Sequence, residues 1–363
     1  MAKKNNSNVS GLVLFAKQPD RTSFQSLSII KKSLETSKVG HTGTLDSFAQ
    51  GLLVVCVGNL TRLASHITAF DKSYEAVIKF GSETDTLDFT GHVTKHANLP
   101  TLENLLKSLK KFSGQIGQTP PVFSALKIDG ERASDLIRKG KNVELQKRAI
   151  TIHSSQIVEI KFDDNLLYDF SNLELNQDNL KKYVSYVKIK FDVSKGTYIR
   201  CLARDIAIDC NSCAHLIGLL RTKVGCFSLE DSVGNNFLND FSINSVIKQV
   251  EESKMNVLQF DKNISENKKL IQKDSNMDIV SSEIKKKILQ MNPSIATACG
   301  LKPVFIKDEF EKDFSNGKFL KSKMFLQSEF ENIKYSVFNS NQRFLGVIQH
   351  IDNKFLYEYV IPQ

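Results

Sequence analysis

The spacing of apolar side chains along the chain predicts helices and strands in mixed order. Apolar residues recur every three or four positions, as on one face of a helix, in residues 24–34, 102–112 and 199–207. Runs of strand length, either continuously apolar or alternating with polar residues, occupy residues 51–58, 74–80 and 187–193. Thr22 and Ser23 can cap the first helix, because a hydroxyl group there accepts a hydrogen bond from the first turn. Since helices and strands do not alternate strictly, the pattern favours an α+β fold.

The pattern changes near residue 231 and again near residue 300, which divides the chain into three parts. We expect one domain over residues 10–232, followed by a linker or insertion over 233–299 that is rich in Lys, Asn and Ser. Short strands are predicted after residue 300, at 335–338, 344–348 and 355–361. Residues 300–363 therefore form a predicted small, β-rich C-terminal domain.

The composition fits a soluble globular protein with a polyanionic partner. Of the 363 residues, 41% are hydrophobic and 25% are charged. The 49 Lys and Arg residues exceed the 40 Asp and Glu residues, which gives a formal net charge of +9. Excess positive charge favours nucleic acid, because binding phosphates releases condensed counterions. The sequence has no apolar run of the roughly 20 residues that span a bilayer, and its start lacks the apolar core of a secretory signal, so we expect a cytoplasmic protein without a membrane partner.

The sequence contains few signatures of metal or nucleotide chemistry. Its six cysteines are irregularly spaced, which fits a reducing compartment rather than a disulfide framework. Cys210 and Cys213 form a single C-x-x-C pair without the second pair that a zinc site of this type needs. The sequence also lacks the glycine-rich loops that bind nucleotide phosphates. We therefore expect no metal and no nucleotide cofactor.

Two polar segments are candidates for chemistry. A glycine-bounded loop contains His41 and Asp46 and precedes a buried strand. A second segment contains Tyr198 and Arg200 at a strand-to-helix junction, where loops often carry functional side chains. Taken alone, an aspartate in a loop is more often a turn or capping residue. The residues by themselves thus indicate only a basic α+β protein with one unusual loop.

Several segments, in order along the chain, carry a resemblance to a known family. They are residues 40–46 (GHTGTLD), 71–74 (DKSY), 81–86 (GSETDT), 120–127 (PPVFSALK), 194–200 (SKGTYIR) and 214–221 (AHLIGLLR). Together they resemble the motifs of the TruB-type tRNA pseudouridine synthases. The resemblance covers roughly residues 10–232, and the strands after residue 300 resemble the PUA-like RNA-binding domain of bacterial members.

The resemblance implies a fold and a reaction. The fold would be α+β, with a pseudouridine-synthase-like mixed β-sheet catalytic domain, flanking helices, an RNA-gripping insertion at about 115–150 and a small PUA-like C-terminal domain. The reaction would isomerise uridine 55 in the T-loop of tRNA to pseudouridine without a cofactor, metal or energy source. The partner would be tRNA, and we expect the protein to act as a monomer.

The resemblance also assigns catalytic roles by position. Asp46 would be the catalytic carboxylate, which either attacks carbon or acts as a base at the sugar. Arg200 would pair with Asp46, because a guanidinium favours the ionised form of a neighbouring carboxyl group in a dry pocket. Tyr198 would hold its hydroxyl group near the reacting base.

Contacts with a flipped-out nucleotide follow from the same resemblance. Tyr74 would stack on the uracil, Tyr198 would lie against the target nucleotide, and Leu219 would form an apolar wall. His41 would enter the RNA and fill the space that the flipped base leaves.

Two departures from the family pattern lie next to this predicted site. The early motif Lys-Pro-x-Gly-x-x-Ser is present as residues 17–23 (KQPDRTS), with the proline displaced and the glycine lost. Ser47 and Phe48 follow Asp46 where the family usually has a proline and an aliphatic or aromatic residue. The catalytic aspartate itself is unchanged.

Two other functions compete with the enzyme. A tRNA-folding chaperone would use the same architecture without turnover, and only the intact set of Asp46, Tyr74, Tyr198 and Arg200 favours catalysis over it. A glycosidase would need a second carboxylate near Asp46, and the matched segments do not supply one.

Overall fold

The computed structural model describes residues 9–121, 127–128, 131–132, 145–262 and 277–361. Within them, strands β1 to β18 are Gly11–Lys17, Val39–His41, Gln50–Val57, Lys72–Phe80, Ser82–Thr84, Val93–His96, Gly114–Gln118, Lys127–Ile128, Glu131–Arg132, Arg148–Phe162, Leu167–Asp169, Val184–Val193, Ala214–Val224, Phe227–Ser228, Lys302–Phe305, Lys334–Phe338, Phe344–Ile351 and Lys354–Val360. Helices α1 to α9 are Ser23–Ser33, Ala64–Thr68, Leu102–Lys111, Gln177–Lys181, Ile199–Asp209, Ile243–Lys262, Met277–Lys287, Pro293–Ala298 and Glu311–Ser315. The prediction of an α+β fold is confirmed.

Ten of these strands form one mixed sheet. Its order is β1-β3-β13-β4-β12-β10-β11, with β2 paired to β3, β7 to β10 and β14 to β13. Strands β3 and β13 run parallel, with Leu220 opposite Gln50 and Arg221 opposite Gly51. This parallel contact brings the loop before β3 close to β4 and β13, so that segments far apart in sequence meet in the middle of the sheet.

Gly51 permits the close approach of β3 to β13. Its φ is +115°, a conformation that residues with a side chain rarely adopt. A Cβ atom added at Gly51 would lie 2.4 Å from the backbone oxygen of Arg221. The crossing that assembles the middle of the sheet therefore requires glycine at this position.

Helix α1 begins where the sequence predicts. The Thr22 hydroxyl accepts a hydrogen bond from Gln25 N, and the Gln25 side chain accepts one from Thr22 N. Ser23 is buried, and its hydroxyl group donates to Leu45 O at 3.1 Å and accepts from Leu45 N at 2.9 Å. The first turn of α1 therefore fixes the residue directly before Asp46.

Helices α3 and α5 cover one face of the sheet. Leu105 of α3 and Leu202 and Ile206 of α5 belong to the same buried cluster as Ile78 of β4 and Ile189 of β12. Burying each such side chain contributes about 1.5–3 kcal/mol. This packing fixes the first turn of α5, which follows directly after the turn that ends β12.

A second sheet, β15-β16-β17-β18, lies near the C-terminal end. Strands β16 to β18 are the three that the sequence predicts, whereas β15 is an addition that pairs parallel to β16. Strand β15 is only four residues long and contains Pro303, which is unusual within a sheet and hides the strand pattern. The small sheet therefore has one more strand than the apolar pattern shows.

The small sheet shares a core with the large one. Phe338 and Val347 pack in one cluster with Leu12 of β1 and Leu52 of β3. The opposite face of the small sheet has its own cluster, which includes Phe314. The two sheets are thus coupled through buried apolar contacts rather than joined only by the chain.

The ends of the segment predicted as a linker, 233–299, belong to the core. Ile243 and Val246 of α6 pack with Val77 of β4 and Ile217 of β13. Val280 and Ile284 of α7 belong to the cluster that contains the buried residues of α1. Residues 263–276 in its middle lie outside the described residues, as does most of the predicted insertion at 115–150, and the domain boundaries stay predictions.

No helix among the described residues is long and apolar enough to cross a membrane.

Asp20 occupies the position of the glycine in the early family motif. Its φ is +60°, in the left-handed region that favours glycine. Aspartate enters this region more readily than most residues with a side chain. The turn before α1 therefore keeps a left-handed residue although the glycine is lost.

The shared core predicts that a cavity in the small sheet weakens the large sheet. Phe338→Ala removes a fully buried ring from the shared cluster, and we expect a loss of about 3–5 kcal/mol in the free energy of unfolding. Urea unfolding followed by circular dichroism measures this loss, and hydrogen exchange with mass spectrometry locates it. Peptides from β3 should lose protection together with those from β16.

Phe314→Ala serves as the matched control, because Phe314 is equally buried but packs only within the small sheet's own cluster. It should lower protection in β15 to β18 and spare β3. If Phe338→Ala also spares β3, the two sheets are not energetically coupled.

Candidate active site

A cavity of about 310 Å³ opens between the loop before β3, strands β4 and β13, and the start of α5. Five of the six predicted site residues line it: Asp46, Tyr74, Tyr198, Arg200 and Leu219. The other lining residues are Gly43, Thr44, Leu45, Thr68, Lys72, Ser194, Gly196, Thr197, Ile199 and Arg221. The volume lies at the lower end of the range of about 300–1,000 Å³ that is usual for small-ligand pockets, which suits a single nucleoside.

Arg200 contacts both carboxylate oxygens of Asp46. Arg200 Nε lies 3.0 Å from Asp46 Oδ2, and Arg200 Nη2 donates to Asp46 Oδ1 at 3.1 Å. The Arg200 side chain is 7% exposed, whereas that of Asp46 is 34% exposed. The guanidinium is therefore buried behind the carboxylate, which offers its remaining surface to a ligand. The pairing implied by the resemblance is present.

A second carboxylate, that of Asp88, contacts the same guanidinium. Arg200 Nη1 donates to Asp88 Oδ2 at 3.3 Å and to Thr86 O at 2.8 Å. The other Asp88 oxygen accepts hydrogen bonds from the hydroxyl groups of Thr86 and Thr90. Asp88 is 4% exposed. This neighbour of Asp46 is not evident from the sequence, because Asp88 lies just beyond a matched segment and its contact with Arg200 leaves no local pattern.

Burial and charge act in opposite directions on Asp46. Burial raises the pKa of the Asp46 carboxyl group above its ordinary value, Arg200 lowers that pKa, and Asp88 raises it again, with a net upward shift. A reaction that needs the Asp46 carboxylate must therefore lose rate as the pH falls through this raised pKa. For folding the sign is opposite: the ionised form of Asp46 costs stability above its ordinary pKa, and protonation at lower pH relieves that cost.

Two buried cations hold the loop that carries Asp46. Arg221 donates to Gly43 O at 3.2 Å, to Thr44 O at 3.3 Å and to Leu52 O at 2.7 Å. Lys17 Nζ donates to Ser47 O at 3.1 Å and to Ala49 O at 2.6 Å. The sequence does not predict a role for either residue, because an isolated Lys or Arg is usually a surface residue. Together they fix the backbone on both sides of Asp46.

The amide group of Gln118 fixes the backbone of Tyr198. Gln118 Oε1 accepts from Tyr198 N at 2.8 Å, and Gln118 Nε2 donates to Tyr198 O at 3.1 Å. Gln118 is 2% exposed and ends β7, at the edge of the predicted insertion. The residue that precedes α5 is thereby set in place from a strand 80 positions away in sequence.

Tyr74 and Leu219 form the apolar part of the cavity. Both are buried, on the neighbouring strands β4 and β13, where Leu219 pairs with Ala76 and Arg221 pairs with Tyr74. Alternation along a strand sends successive side chains to opposite faces of a sheet, so Leu219 and Arg221 share one face. An aromatic ring and an aliphatic side chain thus meet on the cavity side of the sheet.

His41 is the predicted site residue that does not line the cavity. It ends β2, is half-buried, and its Nδ1 accepts a hydrogen bond from Gly43 N at 3.4 Å. Burial, and then the charge of Arg221, lower the pKa of His41, which favours the neutral imidazole at pH 7.

The described residues contain no group of three His, Cys, Asp or Glu side chains placed to hold a metal ion. Cys210 and Cys213 are buried free thiols, and burial raises the pKa of Cys210 to about 11.

Comparison with known proteins places the chain in a family. The model of the TruB family pseudouridylate synthase (N terminal domain) matches residues 31–199. The tRNA pseudouridine synthase B of Treponema denticola is 40% identical over 360 residues, which cover 96% of this chain and 98% of that protein. That of Borreliella burgdorferi is 45% identical over 224 residues, which cover 61% of this chain and 72% of that protein. The chain belongs to the TruB family.

The fold of this TruB-family chain matches that of a solved structure. A crystal structure of a Cbf5-Nop10-Gar1 complex is similar with a TM-score of 0.57 and 20% identity, and the match covers 97% of this chain and 85% of that chain. At this identity the likeness bears on the fold alone. It confirms the predicted pseudouridine-synthase-like mixed sheet with flanking helices, and the small C-terminal sheet agrees with a PUA-like domain. Membership of the TruB family confirms the prediction that the chain is a pseudouridine synthase.

The geometry of Arg200 predicts that its shape matters as much as its charge. In Arg200→Lys the single ammonium cannot keep two contacts to Asp46 and also reach Asp88, because it lacks the planar fork of a guanidinium. We expect kcat for pseudouridine formation to fall at least about 100-fold, with a change of less than about fivefold in KM. Single-turnover and steady-state assays on a tRNA transcript measure both values.

The control is Arg204→Lys, one turn further along α5, where Arg204 pairs with Asp205 outside the cavity. This variant should keep its activity. Normal kcat in Arg200→Lys would show that the bridge between the two carboxylates does not matter to the reaction.

Proposed function

We propose that this TruB-family enzyme isomerises uridine 55 in the T-loop of tRNA to pseudouridine, with Asp46 as the catalytic carboxylate. The observation that carries the proposal is the Asp46 carboxylate, held by Arg200 and partly exposed, inside a cavity with an aromatic ring and an aliphatic wall. The TruB relatives that the chain resembles are named tRNA pseudouridine synthase B.

The reaction exchanges one bond to the sugar for another. The bond from C1′ to N1 of the uracil breaks, the base turns, and C1′ bonds to C5, which loses its proton while N1 gains one. Substrate and product have the same atoms and the same oxidation level, so the step needs neither a redox partner nor an energy source. A carboxylate suits both routes open to Asp46, attack on carbon with later release or removal of a proton from the sugar.

The residues around Asp46 suit a base that has left its stack. Stacking of the flipped uracil on Tyr74 would contribute about 1–3 kcal/mol, which offsets part of the cost of unstacking. Leu219 would close the apolar side, and Tyr198 would lie against the target nucleotide. His41, outside the cavity and in a setting that favours the neutral imidazole, would enter the RNA where the base has left.

The wider chain supports an RNA substrate. Its net charge of +9 favours binding to phosphates, and the PUA-like sheet would add binding contacts to the tRNA. A tRNA-modifying enzyme would act in the cytoplasm, and we expect it to bind one tRNA as a monomer.

Features of the site favour catalysis over the two competing functions. A folding chaperone would not need a partly exposed aspartate whose ionised form is disfavoured by burial and stabilised by a buried arginine. A glycosidase would need a second carboxyl group free to act as an acid or base. Asp88 does not offer one, because it is buried and both of its oxygens accept hydrogen bonds.

The direct test is Asp46→Asn on an unmodified tRNA transcript. The amide keeps the size of the side chain but is neither a nucleophile nor a base at neutral pH, so pseudouridine at position 55 should fall below detection. Affinity for tRNA should change by no more than roughly tenfold. Because the ionised carboxylate costs stability, the variant should also unfold at no lower temperature than the unchanged protein. Chemical mapping of pseudouridine, filter binding and a thermal melt give the three results.

Asp178→Asn on the exposed start of α4 is the control and should alter none of these properties. Retained turnover in Asp46→Asn would remove Asp46 from the mechanism. Product at another uridine, with none at position 55, would overturn the proposed position.

A further inference from the structure

One side of the cavity carries two cations without a carboxylate partner among the described residues. Lys72, the first residue of β4, and Arg221 of β13 both line the cavity. Arg221 donates to three backbone oxygens, and Lys72 Nζ donates to Thr68 O at 2.7 Å and to Phe70 O at 2.5 Å. Carbonyl oxygens satisfy hydrogen bonds but carry no net charge, so these contacts neutralise neither positive charge.

The electrostatic environment of Lys72 favours the binding of an anion. Burial lowers the pKa of Lys72 to about 8, with a further lowering by Arg221 and Lys195, while Asp71 raises it. Asp71 itself lies 3.0 Å from His153 Nε2. With a pKa of about 8, Lys72 is still mainly protonated at neutral pH. An anion bound beside it would relieve the repulsion from the neighbouring cations.

The hydrogen bonds of Lys72 point to the same conclusion. An ammonium group has three N–H donors, and the two carbonyl contacts use two of them. Within the described part of the chain, the third donor has no acceptor, and the side chain borders the cavity. A ligand oxygen in the cavity can therefore accept the third hydrogen bond of the Lys72 ammonium group.

Asp46 disfavours an anion in its own part of the cavity. It carries a carboxylate, and Arg200 is already shared between that carboxylate and Asp88. A nucleotide in the cavity has a phosphodiester on each side, each with one negative charge. The phosphodiester that can be bound is the one nearer to Lys72 and Arg221, and lysine binds phosphate as a compact point charge.

We propose that Lys72 is a phosphate-binding residue that holds a phosphodiester group next to the flipped uridine. This inference rests on the proposed function, because it takes the nucleotide in the cavity to be the target uridine. Lys72 would thereby fix the depth to which the nucleotide enters the cavity. The sugar of this nucleotide would lie between the bound phosphate and Asp46.

A binding cycle between protein and RNA tests the proposal. The RNA is a T-loop stem-loop with ordinary phosphates, or with one uncharged methylphosphonate on the 5′ or the 3′ side of the target uridine. The proteins carry Asp46→Asn, so that the RNA is not converted, with Lys72 unchanged, Lys72→Gln or Lys72→Arg. Affinity is measured by filter binding at several salt concentrations.

We expect Lys72→Gln to weaken binding of the ordinary RNA about three- to tenfold and to reduce the slope of log affinity against log salt by about 0.7–0.9. With one of the two methylphosphonate RNAs the penalty should vanish, because the contact is already lost. Lys72→Arg should keep the salt slope. Lys110→Gln, an exposed lysine on α3, should change nothing.

Two results would overturn the proposal. The first is a penalty of the same size with both methylphosphonate RNAs. The second is an unchanged salt slope in Lys72→Gln; weaker binding with a lower melting temperature but that same slope would mean that Lys72 only caps the carbonyl groups at the end of α2. Pseudouridine formation by the unchanged protein on the same RNA is measured alongside, so failure of the proposed function would show there and not in the binding cycle.

Discussion

A single buried guanidinium, that of Arg200, is shared by two carboxylates, and the arrangement of the cavity depends on it. Asp46 takes one edge of the guanidinium, and Asp88 with Thr86 O takes the remaining nitrogen. Without Arg200, two carboxylates would be left in a poorly solvated place, where ionised groups are costly unless paired. Arg200 thus keeps Asp46 usable as a carboxylate although its surroundings favour the neutral acid.

The rest of the structure holds the two ends of this interaction in position. At one end, Lys17 and Arg221 bind backbone oxygens before and after Asp46, and Ser23 binds both backbone polar atoms of Leu45. At the other end, the packing of α5 on the sheet fixes the first turn that carries Arg200. These contacts go to backbone atoms of the loop, so they constrain it without engaging the Asp46 carboxylate.

The local sequence pattern predicts those helices and strands in which the periodicity of apolar residues matches the buried face. The capped start of α1, the alternating strand that ends at Val193 and the helix from Ile199 all lie where the sequence predicts them. The pairing of Asp46 with Arg200 spans 154 positions, so periodicity could not reveal it, and only the resemblance to TruB-type enzymes did.

Contacts that depend on tertiary structure alone were not predictable. Asp88 sits in a loop of threonines and aspartates that looks like an ordinary turn, and Gln118 is a single amide whose partner is 80 positions away. The sequence predicts a polar linker where helix α7 forms, because this helix presents only Val280 and Ile284 to the core among charged neighbours. In each case one or two side chains carry the interaction, too few to form a pattern along the chain.

Under the proposed function, the reaction is performed by an ionised Asp46, which is made costly by burial and by Asp88 but is held by Arg200. The most direct measurement is the single-turnover rate of pseudouridine formation against pH, for the unchanged protein and for Asp88→Asn, with circular dichroism at each pH to verify folding. The rate of the unchanged protein should fall on the acid side with a midpoint above 3.8, the ordinary value for aspartate. Asp88→Asn should be slower, yet its midpoint should lie at lower pH, because the charge of Asp88 raises the pKa of Asp46. A rate that stays constant down to pH 3.8 in the folded protein, or a midpoint that moves upward in Asp88→Asn, would contradict the account.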